Sequence, residues 1–244
     1  MKNLRALSLF GILAFCLQCS REELDRQEDI VNLRAIGVLA TPSLASLAPS
    51  VNFVFYAMTP KGKTLTFSPY TDPKMRNPLQ PGVTPTVDTV TSYGALDLHQ
   101  ISGSYALDPL ISAATIPIDP GFSTFDYGLY LTSDGKGESI VGSLVLFHPT
   151  HPAYSWQTHN VVITNLKNGQ TVSGQNLDLQ AKITGRNAED YRIGWFTSSG
   201  SISNRRNIST TSTDMKSGPQ TIVVTARGRL TGMFALAVVD VVVE

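Results

Sequence analysis

Three histidines fall within twelve residues, at His148, His151 and His159. Imidazole nitrogens are common ligands of zinc, and the spacing of the first two would present both rings to one metal ion, with the third as a further ligand. Pro149 and Pro152 extend the backbone here, and no paired carboxylate lies nearby in the sequence. We therefore favour polar side chains of a linker over a metal site, and expect no metal and no cofactor.

The sequence also lacks the patterns typical of an enzyme. It contains no Gly-x-Ser-x-Gly elbow and no glycine-rich phosphate loop before a helix. Asp134 and Glu138 are too few oxygen ligands for a calcium loop, and a type I′ hairpin turn explains Asp134-Gly135 without any metal. We expect no catalytic residues.

The first 18 residues have the organisation of a secretory signal. Lys2 and Arg5 provide the positive start, and residues 6–17 form an apolar run of about a dozen residues, the length expected of such a signal. A helix that spans a bilayer needs about 20 apolar residues. We expect residues 1–18 to be removed on export, with ordinary cleavage near Cys16 as the alternative.

Cys19 follows this run and opens a charged stretch over residues 19–29 that lacks a periodic apolar face. The junction is similar to bacterial lipoprotein signals, in which cleavage precedes a cysteine that then receives fatty acyl chains. Cys16 and Gln18 stand where such signals usually carry Leu and a small residue. Two or more acyl chains hold a protein firmly on a membrane. We expect Cys19 to anchor the protein in the cell envelope, at the outer membrane, with residues 19–29 as a tether.

Composition restricts the classes of partner and the means of stabilisation. The chain has 19 basic and 19 acidic residues, and the short basic spot Arg205-Arg206 is typical of a solvated loop. This balance does not indicate the clustered basic face of a nucleic-acid-binding protein, so we expect no nucleic-acid partner. Both cysteines lie in the first 19 residues, so the remaining chain holds no intrachain disulfide.

Residue patterns predict an all-β chain of two units. β-Branched and aromatic runs alternate with Pro, Gly, Ser and Asn clusters, and no long helical pattern appears. We predict one β-sandwich over residues 30–148, a linker over 149–160 and a second sandwich over 161–244.

Two local features indicate that the sandwiches are immunoglobulin-like. Asp126, Gly128 and Tyr130 have the Asp-x-Gly-x-Tyr spacing of a tyrosine corner, in which the Tyr hydroxyl bonds to upstream backbone. In the second unit, Trp195 lies in an alternating strand and is predicted to be the central core tryptophan.

The chain resembles bacterial envelope lipoproteins with immunoglobulin-like domains. The resemblance lies in residues 32–42 (Asn-Leu-Arg-Ala-Ile-Gly-Val-Leu-Ala-Thr-Pro), the strand at 51–58, residues 193–200 (Ile-Gly-Trp-Phe-Thr-Ser-Ser-Gly) and the start of a hairpin at 226–228. Many of those proteins carry cysteines in the first domain, and this chain has none there. The resemblance implies a surface or periplasmic location and no catalytic residues.

These observations favour a non-enzymatic binding or adhesion-type module that presents loops to a protein or glycan partner. One alternative is an accessory module or enzyme acting on envelope polysaccharide, which would need two carboxylates about 5–10 Å apart in a cleft. A second alternative is a purely structural spacer.

Overall fold

A computed structural model describes residues 30–41, 50–70, 74–75, 78, 84–106, 117–155, 159–185 and 190–244. Across these ranges the chain forms fifteen β-strands and a short 3-10 turn at Pro152–Ser155. No helix in the described ranges is long and apolar enough to cross a bilayer. The predicted signal peptide, Cys19 and the tether lie outside the described residues.

The first sandwich contains seven antiparallel strands in two sheets. The sheets have the orders β1-β2-β5-β4 and β3-β6-β7. The strands are β1 (Arg34–Thr41), β2 (Ser50–Pro60), β3 (Thr66–Pro69), β4 (Thr84–Ser92), β5 (Leu96–Ala106), β6 (Phe122–Ser133) and β7 (Lys136–Phe147).

The second sandwich follows the 3-10 turn and has eight strands. Its sheets have the orders β12-β13-β10-β8 and β11-β14-β15-β9, with β9 parallel to β15. The strands are β8 (Asn160–Ile163), β9 (Gln170–Val172), β10 (Leu177–Thr184), β11 (Tyr191–Thr197), β12 (Ser201–Ile202), β13 (Ser209–Thr213), β14 (Gly218–Gly228) and β15 (Phe234–Val243).

Strand order identifies both units as immunoglobulin-like. When the strands of the first sandwich are lettered A to G in chain order, its sheets read A-B-E-D and C-F-G, the arrangement of a constant-type immunoglobulin domain. The second sandwich gives the same two sheets when β9 is treated as an extra strand beside the last one. The predicted fold class is therefore confirmed.

Alternating apolar residues build a separate core in each sandwich. In the first core the ring of Tyr127 contacts those of Phe53 and Phe55, with centroids 4.1 and 5.9 Å away. In the second core Trp195 is fully buried on β11, the third strand in immunoglobulin order, as predicted. Because side chains alternate between the two faces of a strand, these positions also determine which residues point outward.

The structure contradicts the predicted tyrosine corner. Tyr130 is 42 % exposed, and its hydroxyl packs over Gly137 on the returning strand. Asp126 accepts a hydrogen bond from the Ser143 hydroxyl at 2.6 Å. Since β6 begins well before this motif, Tyr130 lies towards the hairpin and away from the corner where the strand starts. The buried tyrosine of this strand is Tyr127.

The two sandwiches pack directly against each other. The outer face of the β1-β2-β5 sheet meets the outer face of the β14-β15 hairpin in a continuous apolar cluster. Hydrogen bonds cross the boundary from the Ile30 amide to the Thr197 carbonyl (2.8 Å) and from the Ala95 amide to the Thr221 hydroxyl (3.2 Å). The buried members of the cluster are Ile30, Ile36, Met58, Leu96, Leu98, Val223 and Phe234. This contact makes the two sandwiches one packed unit.

Gly37 and Phe234 form the tightest part of this interface. Gly37 follows a register shift in β1, and a Cβ atom at this position would overlap the Phe234 ring. The ring also lies 5.5 Å from that of Tyr56, between centroids, and Phe234 is only 7 % exposed. Because Gly37 has no side chain, it leaves a notch in the surface of the first sandwich, and the Phe234 ring of the second sandwich lies in this notch. We call it the Gly37 notch.

Candidate ligand-binding surface

Two arginines lie side by side on the outer face of the second sandwich. Ile193 and Trp195 of edge strand β11 point into the core, so Arg192 points outward. Arg192 is paired directly with Arg227 of β14 in the antiparallel register. Directly opposed like charges destabilise a sheet, so this pair is unfavourable unless an anion lies between the two guanidinium groups.

Trp195 holds a second arginine-bearing segment beside this pair. Its backbone N–H donates to the Arg205 carbonyl at 3.2 Å, and its indole N–H donates to the Asn207 carbonyl at 2.7 Å. The loop between β12 and β13 is thereby held against the edge of β11. Arg205 and Arg206 are consequently placed next to Arg192, although they lie on a different part of the chain.

The turn between β14 and β15 contributes a fifth arginine. The Arg229 amide donates to the Asp190 carbonyl at 3.0 Å, which ties the turn to the residue before β11. Within the turn, the Gly228 amide donates to the Met233 carbonyl at 2.9 Å. These bonds hold Arg229 at the same edge of the sheet as Arg192.

The five arginines line two neighbouring concavities that share Arg192 and Arg229. The first, of about 520 Å³, is bordered by Tyr191, Phe196 and the 205–206 loop. The second, of about 330 Å³, lies between the sandwiches. Both volumes fall in the range of small-ligand sites, about 300–1,000 Å³. We call this surface the arginine groove and define it by Arg192, Arg205, Arg206, Arg227 and Arg229.

The first sandwich forms one wall of the second concavity, with Phe122, Thr124, Ser143 and Val145 facing the arginines. The pKa of the Tyr127 hydroxyl, just behind this wall, is raised mainly by burial; Arg227 opposes the rise and Asp126 adds to it. Because residues of both sandwiches line the second concavity, this concavity depends on their contact.

The described lining of the groove is basic. Among the described residues, no ion pair involves Arg192, Arg227 or Arg229. No carboxylate is among the described residues that line the two concavities. The arrangement is therefore suited to binding an anion, because guanidinium groups donate two parallel hydrogen bonds to a carboxylate, sulfate or phosphate group.

Comparisons with known proteins do not identify a family. No family model and no curated protein matches the chain. Among solved structures, the fibronectin(III)-like modules of Clostridium thermocellum CbhA are 12 % identical, cover 85 % of this chain and 94 % of theirs, and give a TM-score of 0.32. The PKD domain of human KIAA0319 is 15 % identical over 39 % of this chain and 88 % of its own, with a TM-score of 0.30. The ectodomain of mouse nectin-like molecule 4 is 13 % identical over 89 % and 65 %, with a TM-score of 0.25. These scores are low, so the fold assignment depends on the strand order described above.

The predicted metal candidates lie in three different environments. His148 is partly exposed after β7, and the His151 ring packs on that of Phe147 with centroids 4.6 Å apart. His159 is buried, and its Nε2–H donates to the Ala226 carbonyl at 2.9 Å. In the described part of the chain, no three His, Cys, Asp or Glu side chains are grouped so that they could hold a metal ion.

A buried polar cluster at one end of the first sandwich was not anticipated from the sequence. The Thr59 hydroxyl lies 3.1 Å from His99 Nε2, and His99 Nδ1 lies 2.9 Å from the Asp88 carboxylate. Hydrolases use this order of hydroxyl, imidazole and carboxylate. Here Thr59 is fully buried and His99 is 3 % exposed, so a substrate has no access to the hydroxyl. The cluster satisfies polar groups inside the sandwich.

Asp97 extends this cluster towards the β2–β3 turn. Its carboxylate accepts hydrogen bonds from the Gly62 amide at 2.6 Å and the Ser92 hydroxyl at 2.7 Å. Burial alone would raise the pKa of Asp97. The two hydrogen bonds, with smaller contributions from His99 and Lys61, outweigh burial and lower this pKa below its usual value. Ionised Asp97 therefore stabilises the folded state.

Sequence reasoning missed the arginine groove. Arg205-Arg206 was expected to be an ordinary solvated loop, and the equal numbers of charges gave no sign of a clustered basic face. Arg205 and Arg206 do lie in a loop with Arg206 exposed, as predicted, but five arginines from three chain segments converge at one edge of the second sandwich. The sequence did contain a usable signal. Arg192 is out of phase with the inward-pointing Ile193 and Trp195, so it must point outward, and the last hairpin carries two more arginines, Arg227 and Arg229.

Proposed function

We propose that this protein is a non-enzymatic binding module, anchored in the bacterial cell envelope by lipid on Cys19, and that the arginine groove is its ligand-binding surface. One observation carries the second part of this proposal. Two packed immunoglobulin-like sandwiches bring five arginines from three chain segments onto one concave surface.

The scaffold supports this proposal because it holds the groove rigidly. β11 and β14 carry Arg192 and Arg227 on paired strands, and two hydrogen bonds from Trp195 hold the 205–206 loop. A binding surface that is already arranged loses less conformational entropy when the ligand binds.

The energetic cost of the groove supports a functional role. The opposed pair of Arg192 and Arg227 costs the sheet about 0.2–1 kcal/mol, and a neutral residue at either position would avoid that cost. Destabilising arrangements that persist in a folded protein are typical of functional sites.

An enzyme acting on envelope polysaccharide is less well supported. Glycoside hydrolysis by the usual mechanism needs two carboxyl groups flanking the bond, and the described lining of the groove contains arginines, hydroxyls and aromatic rings. The hydroxyl–imidazole–carboxylate cluster around His99 is buried. A purely structural spacer would have no use for five arginines gathered on one concave surface.

Metabolic palmitate labelling tests the anchor. We expect the label to be incorporated into the wild-type protein and into Cys16→Ala, and to be lost in Cys19→Ala. Label retained in Cys19→Ala would contradict the assignment of the acylated residue.

Binding to isolated cell envelopes tests the groove. The double variant Arg192→Gln/Arg227→Gln removes two charges from the groove, and Lys182→Gln/Lys216→Gln removes two charges from exposed positions elsewhere on the second sandwich. We expect the purified full chain to bind envelopes, the arginine variant to lose most of this binding, and the lysine control to retain it. Equal binding by both variants would refute a role for the groove.

A further inference from the structure

We infer that the ligand of the arginine groove is an acidic polysaccharide, a single chain of which lies along the groove with its carboxylate or sulfate groups on the arginine side chains. This inference rests on the proposed function. It adds the chemical class of the ligand and the way in which the ligand is held.

The presence of arginine rather than lysine side chains in the groove indicates an oxyanion ligand. The two concavities are lined by five arginines and by no lysine among the described residues. Arginine presents a planar fork that matches carboxylate, sulfate and phosphate groups, whereas lysine presents a single point charge. Arg192 and Arg227 are directly opposite across two strands, where Cβ atoms are about 4.5–5.5 Å apart. One oxyanion can therefore contact both guanidinium groups and relieve their repulsion.

The distribution of the charges indicates a polymer. The 205–206 loop lies at one end of the groove, and Arg227 lies at the other end against the wall of the first sandwich. Arg192 and Arg229 line both concavities and join them. A single small anion would use only part of this surface, whereas a chain with repeated acidic groups would use all of it.

The aromatic rings favour a sugar chain over a nucleic acid. Binding of single-stranded nucleic acid depends on exposed ring faces on which bases stack. The Tyr191 ring packs on that of His159 with centroids 4.6 Å apart, and Phe196 packs at the interface between the sandwiches. Both rings are only partly exposed, so they are poor platforms for the stacking of bases. Thr124 on the opposite wall provides a hydroxyl for sugar hydroxyl groups.

The shape of the groove also argues against a nucleic-acid duplex. The second concavity is bordered by one sandwich on each side. A duplex is bound by an element that enters one of its grooves, whereas a concave surface accepts a single narrow chain. The balanced total charge of the protein is consistent with a local anion site rather than a broad basic face.

Direct binding with defined polymers tests the inference. The full chain in detergent is titrated by interferometry with polygalacturonate, dextran sulfate, neutral dextran and oligo-deoxythymidylate. We expect one or both of the acidic polysaccharides to bind, with an affinity that falls as salt rises, and neutral dextran not to bind. The carboxylate and sulfate polymers distinguish the two sources of negative charge.

Matched variants assign the binding to the groove. Arg192→Gln/Arg227→Gln should weaken binding at least about tenfold, because hydrogen bonds to charged groups are among the strong ones. Arg192→Lys/Arg227→Lys should give an intermediate loss, since it keeps the charge and loses the fork. Lys182→Gln/Lys216→Gln should stay within about twofold of the wild type, since surface charges outside the groove contribute little. Circular dichroism checks that each variant is folded.

Three outcomes would overturn the inference: no binding of either acidic polysaccharide, equal binding of neutral dextran, or tighter binding of oligo-deoxythymidylate than of both. If one of these occurs while the arginine variant still loses binding to cell envelopes, the proposed function stands and only the ligand class is wrong. If the arginine variant binds acidic polysaccharide as the wild type does, the groove is not the site.

Discussion

Replacing Gly37 by alanine tests how the two sandwiches are held together. The new Cβ atom would overlap the Phe234 ring, which is 7 % exposed and packed on Tyr56. The ring must shift for the new atom to fit, and overpacking of this kind costs about 1–3 kcal/mol. We expect Gly37→Ala to lower the free energy of unfolding by that amount, measured by urea denaturation followed by circular dichroism.

A double-mutant cycle with Phe234→Ala isolates the cause. Phe234→Ala alone should cost up to about 3–5 kcal/mol, because it removes a buried ring. Once the ring is absent, the Gly37 notch is empty and a methyl group fits there. Gly37→Ala should then cost little in the Phe234→Ala background, which gives a coupling energy of about 1–3 kcal/mol.

A second cycle provides the control. Phe67 is a partly buried phenylalanine that packs on the core of the first sandwich, away from this interface. Gly37→Ala and Phe67→Ala should be additive within about 0.5 kcal/mol. If the cycle with Phe234 is also additive, Gly37 does not hold the ring and the interface is not packed as described. Gly37→Ala should also weaken ligand binding, since the second concavity lies between the sandwiches.

Three further predictions follow from single contacts. Arg192→Gln should raise the free energy of unfolding by about 0.2–1 kcal/mol because it removes the repulsion from Arg227; a decrease would show that the pair is not repulsive. Trp195→Ala should lower the free energy of unfolding by about 3–5 kcal/mol. Trp195→Phe removes the indole N–H bond to Asn207 and should therefore reduce the free energy of ligand binding by more than it reduces the free energy of unfolding; unchanged binding would refute the role of that bond. The pKa of Asp97 is lowered in the folded state, so its contribution to stability is complete above the unfolded carboxyl pKa of about 3.9 and is lost as pH falls through the lower folded pKa. The stability difference between wild type and Asp97→Asn, measured by urea titration at several pH values, should shrink below about pH 4, and a constant difference would contradict this account.

Much of the fold could be predicted from local patterns. Alternation of apolar and polar residues identified strands such as β10 and β11, and Asp134-Gly135 identified the β6–β7 turn, in which both residues adopt positive φ. These features depend on neighbouring residues only, so the sequence displays them directly. The Tyr130 prediction failed because a short motif does not report where its strand begins.

The candidate site could not be predicted in the same way. Arg192, Arg205 and Arg229 belong to three separate segments of the chain, and these segments meet because β11 pairs with β14 and the 203–208 loop bonds to Trp195. Equal totals of basic and acidic residues concealed this local excess of positive charge. Total charge is a sum over the chain, whereas a binding surface depends on which charges are neighbours.

The sequence by itself determined the all-β character of the two units, the buried position of Trp195 and the absence of cysteine beyond residue 19. These properties follow from the period of the strands and from composition, which are local. Only the tertiary structure decided that the two sandwiches form one packed unit, with the Phe234 ring in the Gly37 notch, and that five arginines share a groove. Both arrangements depend on contacts between residues distant in sequence, which arise only when the sheets pair and pack.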